Sequence, residues 1–224
     1  LFIIFFPQLI AGPIVRFHQF IPQLQSRKLN ISLENFSIGI VIFSIGLFKK
    51  IVLADQLGIV SDNVFLHSNQ HTLSFFESWG GILAFTFQIY FDFSGYSDMA
   101  IGLGQIFGIK LPLNFNSPYK SKSIIDFWRR WHISLSSFLK EYIYIPLGGN
   151  RKGTYIKYLN ILVVMIIGGV WHGAGWNFIL WGFSHGILLI INHEINRHNL
   201  KIFMPTFGKQ IITFLLVTIN WVLF

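Results

Sequence analysis

Long apolar runs broken by short polar clusters set the pattern of this chain. A membrane-spanning helix needs about 20 mostly apolar residues. Spans are therefore predicted at roughly 36–54, 78–108, 158–173, 175–193 and 209–224, with the first ten residues reading as the end of a further one. Segment 78–108 is long for one crossing and holds Asp92 and Asp98. It is expected to be tilted, broken, or split in two, since Gly95, Gly102, Gly104 and Gly108 permit close helix packing as readily as a break. Between the second and third spans, "IIDFWRRWHISLSSFLKEYI" at 124–143 has the period of an amphipathic helix. Phe127, Trp128, Trp131, Leu135 and Leu139 share its apolar face, with His132 near the edge of that face. Asp126, Arg130, Ser134, Ser137 and Glu141 fall opposite, and such a helix is expected to lie in the membrane interface or pack under the bundle. Pro146 and the turn-forming "LGGNRKG" end it.

Composition agrees with a membrane protein. The 224 residues are 53% hydrophobic and 12% charged, with a mean hydropathy of +0.57, against about 25% charged residues in soluble domains. The formal charge of +8 would suggest nucleic acid in a soluble protein, but its distribution points to topology, and no nucleic-acid partner is expected. Nine basic residues fall in 109–157, three in 16–35 (Arg16, Arg27, Lys28) and three in 194–209 (Arg197, Lys201, Lys209). Segment 55–77 has none and carries Asp55, Asp62 and Glu77. The positive-inside rule then places the basic segments in the cytoplasm and 55–77 outside, as an outer loop. Lys49 and Lys50 fit least well and must snorkel or face protein. The chain starts at Leu1 and stops at Phe224, both inside apolar runs, so it is expected to be one membrane domain truncated at its N-terminus and at its C-terminus.

Three pattern matches fail on context. "GFSHG" at 182–186 fits a nucleophile-elbow formula, but Ser184 lies in a predicted membrane helix instead of a strand–turn–helix. His193 and His198 in "HEINRH" are five apart and diverge around a helix, and "GLGQIFG" has one residue too many for a dinucleotide loop. With no cysteine, thiolate catalysis and Cys-based metal sites are excluded, and no metal site is assigned. His172 and His185 remain, because an ionisable residue at membrane depth usually faces a bundle interior or a cavity. Gly168, Gly169, Gly173 and Gly175 clear space around His172, whereas His185 lacks such clearance and reads as a helix-packing histidine. Arg129 and Arg130 beside His132 suit an anionic ligand.

Four runs, "FFPQLIAGPIVRFHQFIPQL" at 5–24, "YFDFSGYSDMAIGLGQIFGI" at 90–109, "DFWRRWHISLSSFLKEYIYIPLGGNRKG" at 126–153 and "GGVWHGAGWNFILWGFSHG" at 168–186, resemble the membrane-bound O-acyltransferases. The likeness is to the bacterial branch that acetylates alginate, and it covers nearly the whole chain. It implies an all-α, polytopic helical bundle in the bacterial cytoplasmic (inner) membrane, with an acyl donor arriving from the cytoplasm and an acceptor hydroxyl from outside. The family's histidines fall on His172, in W-H-G, and His132, in R-R-W-H. Arg129, Arg130 and Trp171 are the candidates for holding donor or substrate. The expected donor is acyl-CoA or another acyl thioester, with no bound cofactor. The expected acceptor is an exported cell-surface polysaccharide, with peptidoglycan or another envelope glycan as the alternative. An extracytoplasmic acetyltransferase- or esterase-like partner protein is implied as well.

The chemistry stands on its own terms. A thioester needs no covalent enzyme intermediate if the attacking hydroxyl is deprotonated, and an imidazole with ordinary pKa near 6.5 can take that proton. Such assistance contributes roughly 10²–10⁴-fold. An acyl-histidine stays open as a second route. Two readings from other classes also stand: a transporter with an intramembrane relay of His, Asp92 and Asp98, and a non-catalytic scaffold. The charge distribution generates a direct expectation about topology. Cysteines introduced at Asn69 and Lys152 of the intact protein should label from opposite sides of the membrane. Labelling of both by an impermeant reagent outside spheroplasts would overturn the assignment.

Overall fold

The computed structural model of the chain describes residues 5–8, 12–25, 32–68, 70–200 and 203–224, and all regular structure among them is helical. Expectations for most of the first ten residues, and for Arg27, Lys28, Asn69 and Lys201, lie outside the described residues. Contacts divide the chain into two units, Leu1–Phe115 and Asn116–Phe224. Three helical stretches are long and apolar enough to cross a membrane, Leu33–Ser68, Gly153–His172 and Trp176–Arg197, so this is a multi-pass membrane protein.

The first unit holds helix α1 (Phe17–Gln25) and a long antiparallel helical hairpin. Its first arm is α2 (Leu33–Phe48), a π-helical turn (Lys49–Ala54) and α3 (Asp55–Ser68), continuous over 36 residues. Its second arm is α4 (Phe75–Ile106), 32 residues without a break. Ser74 starts α4 with a full capping box, in which its hydroxyl accepts from the Glu77 N–H and the Glu77 carboxylate accepts from its own. Two expectations are corrected here. The outer loop at 55–77 is helical through Ser68, and of the alternatives for segment 78–108 the broken and the split ones fall, since α4 is one helix through Ile106.

Packing explains both corrections. Gly39 faces Gly102 and Gly46 faces Gly95 so closely that a Cβ on any of the four would strike the opposite backbone. The glycines of α4 thus bring backbones together and do not break the helix. Of the polar residues read as a loop, Ser61 buries against α4, while Asp55, Asp62 and Asn63 stay exposed. Ser61 is fully buried and donates to Gln88 Oε1 at 2.8 Å. Lys49 pairs with Asp98 at 2.5 Å, and Lys50 with Asp55 at 2.8 Å and with Asp92. Both lysines therefore face protein, and neither needs to snorkel.

The second unit holds α5 (Ile124–Trp128), α6 (Ile133–Leu139), α7 (Gly153–His172), α8 (Trp176–Arg197) and α9 (Thr206–Trp221). The single amphipathic helix expected at 124–143 is not what forms. The chain breaks after Trp128, turns through Arg129–His132, and resumes as α6 and a π-helical turn (Lys140–Tyr144). His132 itself has φ 41° and ψ 55°, the left-handed region, where histidine is tolerated better than most side chains. The segment is also interior, not interfacial: Phe127, Trp131, Leu135 and Leu139 are all buried, and so is Ser134, expected on the polar face. Contacts trace a helical hairpin. The Ile125 N–H donates to Asn192 Oδ1 on α8, and Phe127 and Trp128 stack against His185 one to two turns further along. His132 at the apex meets Trp171 on α7. The returning arm descends along α7, with Leu139 beside Gly168 and Asn160 donating to the Gly149 carbonyl. Re-entrant backbone of this kind is tolerated at membrane depth only where protein buries it.

The ion pairs of the first unit yield a double-mutant test. Lys49→Met strands Asp98, and Asp98→Leu strands Lys49, at a cost of about 3 kcal/mol each for a partner left at membrane depth. The double substitution removes both charges and should recover most of that loss. Thermal unfolding of the intact protein in detergent checks it, and a double variant as unstable as the sum of the singles would refute the pairing.

Candidate active site

His132 and His172 line one cavity of about 160 Å³ in the second unit. The rest of its wall is mostly apolar, from Trp128, Leu135, Leu139, Met165, Trp181 and Leu189. Two unrelated segments deliver the imidazoles, the apex of the re-entrant hairpin and the last residue of α7.

The apex is fixed by polar contacts around a short helix. Ser123 caps α5 by accepting the Asp126 N–H at 3.1 Å. Asp126 Oδ1 then accepts from Arg130 Nε at 2.8 Å, and the Arg130 carbonyl accepts from the Asn116 N–H at 3.0 Å while its guanidinium donates to the Asn116 carbonyl at 3.3 Å. Arg130 thus holds the turn through these contacts. His132 follows the turn and is 2% exposed, and its carbonyl accepts the Ser136 N–H to start α6.

His172 sits where α7 stops at Gly173. Three aromatic rings meet its imidazole edge to face: Trp171 at 4.9 Å, Trp181 at 5.3 Å and Phe224 at 5.0 Å between centroids. They fix the ring's tilt. The surrounding glycines divide their work differently from the sequence reading. A Cβ on Gly168 would touch only Leu139, at 3.3 Å, and this glycine lines the cavity. Gly169 and Gly173 instead admit Phe178, and Gly182 admits the Met165 carbonyl, so these three bring α7 and α8 together. Trp171, 57% exposed, meets both imidazoles edge to face, 6.0 Å from the His132 ring, but does not line the cavity.

His185 does not line the cavity. It is fully buried in an aromatic box, stacked on Phe127 and set against Trp128 and Trp181. Ser184 donates to the Trp181 carbonyl at 2.9 Å and also bonds Asn220, a helix-packing arrangement with no base beside it. Arg129 is exposed, and its charge and that of Lys157 both act on His193, whose Nδ1 lies 3.3 Å from Lys157 Nζ. Sequence reading assigned nothing to Lys157 or His193, which are 36 positions apart and meet only because α7 and α8 are antiparallel. In the first unit Asp92 and Asp98 are occupied by lysines, so neither is a free relay group.

The sequence model of the membrane-bound O-acyltransferase family matches residues 1–224. The chain is 52% identical over 228 residues to the peptidoglycan O-acetyltransferase of Helicobacter pylori, covering 100% of this chain and 43% of that protein. It is 48% identical over 224 residues to a probable alginate O-acetylase of Pseudomonas putida, covering 100% and 45%. Against the teichoic acid D-alanyltransferase of Bacillus subtilis it is 30% identical over 237 residues, covering 100% and 58%. The chain thus spans less than half the length of the first two relatives.

Proposed function

Because the chain belongs to the membrane-bound O-acyltransferase family, we propose that the intact protein moves a short acyl group, acetyl, from a cytoplasmic thioester to hydroxyls of an envelope glycan. The observation that carries this reading is the meeting of His132 and His172 in one largely apolar cavity. In the reaction His172 takes the proton as the acceptor oxygen attacks the thioester carbonyl carbon. The new C–O bond forms, the C–S bond breaks, and the leaving thiolate regains a proton. His132 donates a hydrogen bond to the carbonyl oxygen as negative charge develops there. The cavity's size supports acetyl over a long chain, since about 150 Å³ holds a molecule the size of benzene. Arg129 and Lys157 offer positive charge to phosphates of a carrier such as coenzyme A, and Trp171 is placed to flank the reacting groups.

Relatives named for alginate and for peptidoglycan support the same acceptor chemistry, sugar hydroxyls exported across the bacterial inner membrane. Such acceptors meet the protein on its extracytoplasmic side. From Gly153 to His172 a helix rises about 29 Å, close to the roughly 30 Å hydrocarbon thickness. His172 then lies at the end of α7 away from the basic segment 109–157, the side from which the acceptor comes.

His172→Gln keeps a hydrogen-bonding side chain but accepts no proton. It should accumulate normally and lose transfer by roughly 10²–10⁴-fold, while His185→Gln, outside the cavity, keeps much of it. Mass spectrometry of envelope glycans at matched protein levels reads this out, and near-normal acetylation by His172→Gln would return that residue to a packing role.

A separate extracytoplasmic acetyltransferase- or esterase-like protein is proposed to finish transfer to the polymer. Purified intact protein, acetyl donor and polymer should therefore leave the polymer unmodified until that protein is added. Full polymer acetylation without it would contradict the two-protein scheme.

A further inference from the structure

A second and larger hollow in the same unit, about 770 Å³, lies between α8, α9 and the foot of the re-entrant hairpin. Among the described residues its lining includes Lys122 and Lys209 and no aspartate or glutamate. Neither ammonium has a hydrogen-bond or ion-pair partner among the described residues. The two are held in the same neighbourhood because Gln210 Nε2 on α9 donates to the Lys120 carbonyl at 2.9 Å. The remaining wall is graded. Asn196 and Lys209 lie near the helix ends that the basic segment 194–209 joins. Leu188 on α8, and Ile212 and Leu216 on α9, carry an apolar wall about 10 Å further along the helices.

A cationic mouth at the basic side of the membrane, continued by an apolar arm, is complementary to one molecule that the surrounding bilayer supplies. We propose that this groove holds an anionic glycerophospholipid, with its phosphate between Lys122 and Lys209 and an acyl chain along Leu188, Ile212 and Leu216. Basic pockets between membrane helices on the cytoplasmic side are known hosts for such headgroups. The absence of any aspartate or glutamate from the described lining selects against zwitterionic lipids, whose choline or ethanolamine group would find no counter-charge. Ile191 and Ile212, each nearly half-exposed, leave the apolar arm accessible from the bilayer. The groove is separate from the histidine cavity and shares no lining residue with it.

The test uses the intact purified protein, offered phosphatidylglycerol or phosphatidylcholine of matched chains in detergent and read by native mass spectrometry. The wild type should retain one phosphatidylglycerol in preference to phosphatidylcholine. Lys122→Gln/Lys209→Gln should weaken that retention about thirtyfold, the combined worth of two cations near an anionic surface. The exposed Lys122→Gln alone should weaken it about fivefold, which keeps the test open if the double variant fails to accumulate. Ile212→Trp, filling the apolar arm, should abolish retention, and free glycerol phosphate should not compete. Equal retention of both lipids, or unchanged retention in the lysine variants, overturns the proposal. Displacement of the lipid by coenzyme A overturns it as well and assigns the groove to the acyl donor.

Discussion

Hydrocarbon offers no partner to a charge, so the lysines and aspartates that this chain carries to membrane depth are met by one another. That constraint organises the first unit. Lys49 and Lys50 sit in the middle of a 36-residue helical run, and three aspartates meet them, one on the same run and two across on α4. The opposed glycine pairs let the two arms approach closely enough for short side chains to make those contacts. A π-helical turn falls where the lysines begin, as such turns often do at special points of a helix.

The same constraint shapes the second unit and leaves room for chemistry there. The carbonyls at the foot of the hairpin are met by Asn160, the Arg130 turn by Asn116 and Asp126, and the Ser184 hydroxyl by the Trp181 carbonyl. What these contacts surround is a small apolar cavity entered by two imidazoles. In such a place a general base and a hydrogen-bond donor act without competition from water, which strengthens the electrostatic part of catalysis.

The sequence makes some of this legible and hides the rest for definable reasons. Spans at α7 and α8 show in hydropathy because their apolar runs are uninterrupted, and the outlying turn at 173–175 shows in its glycines. Family resemblance singles out His132 and His172. The unbroken hairpin is missed because Ser61 and Asp98 look like loop or helix-breaking residues when their partners are 27 and 49 positions away. The break at His132 is missed because an apolar period of 3.6 runs through 124–143 regardless of the turn inside it. The turn is decided by Asn116 reaching the Arg130 carbonyl, a contact that no local pattern records. The turn-holding contacts of Arg130 are accordingly visible only in space.

The central claim is that His172 serves as a base toward the acceptor and does not carry the acyl group itself. It is tested most directly by quenching the intact protein during exposure to an isotopically labelled acetyl thioester without acceptor, then mapping label across its peptides. Direct transfer predicts that His172, His132 and Ser184 all remain unlabelled while the same preparation acetylates acceptor once it is supplied. A labelled acetyl group on His172 that forms at the rate of turnover and passes to acceptor would contradict the account.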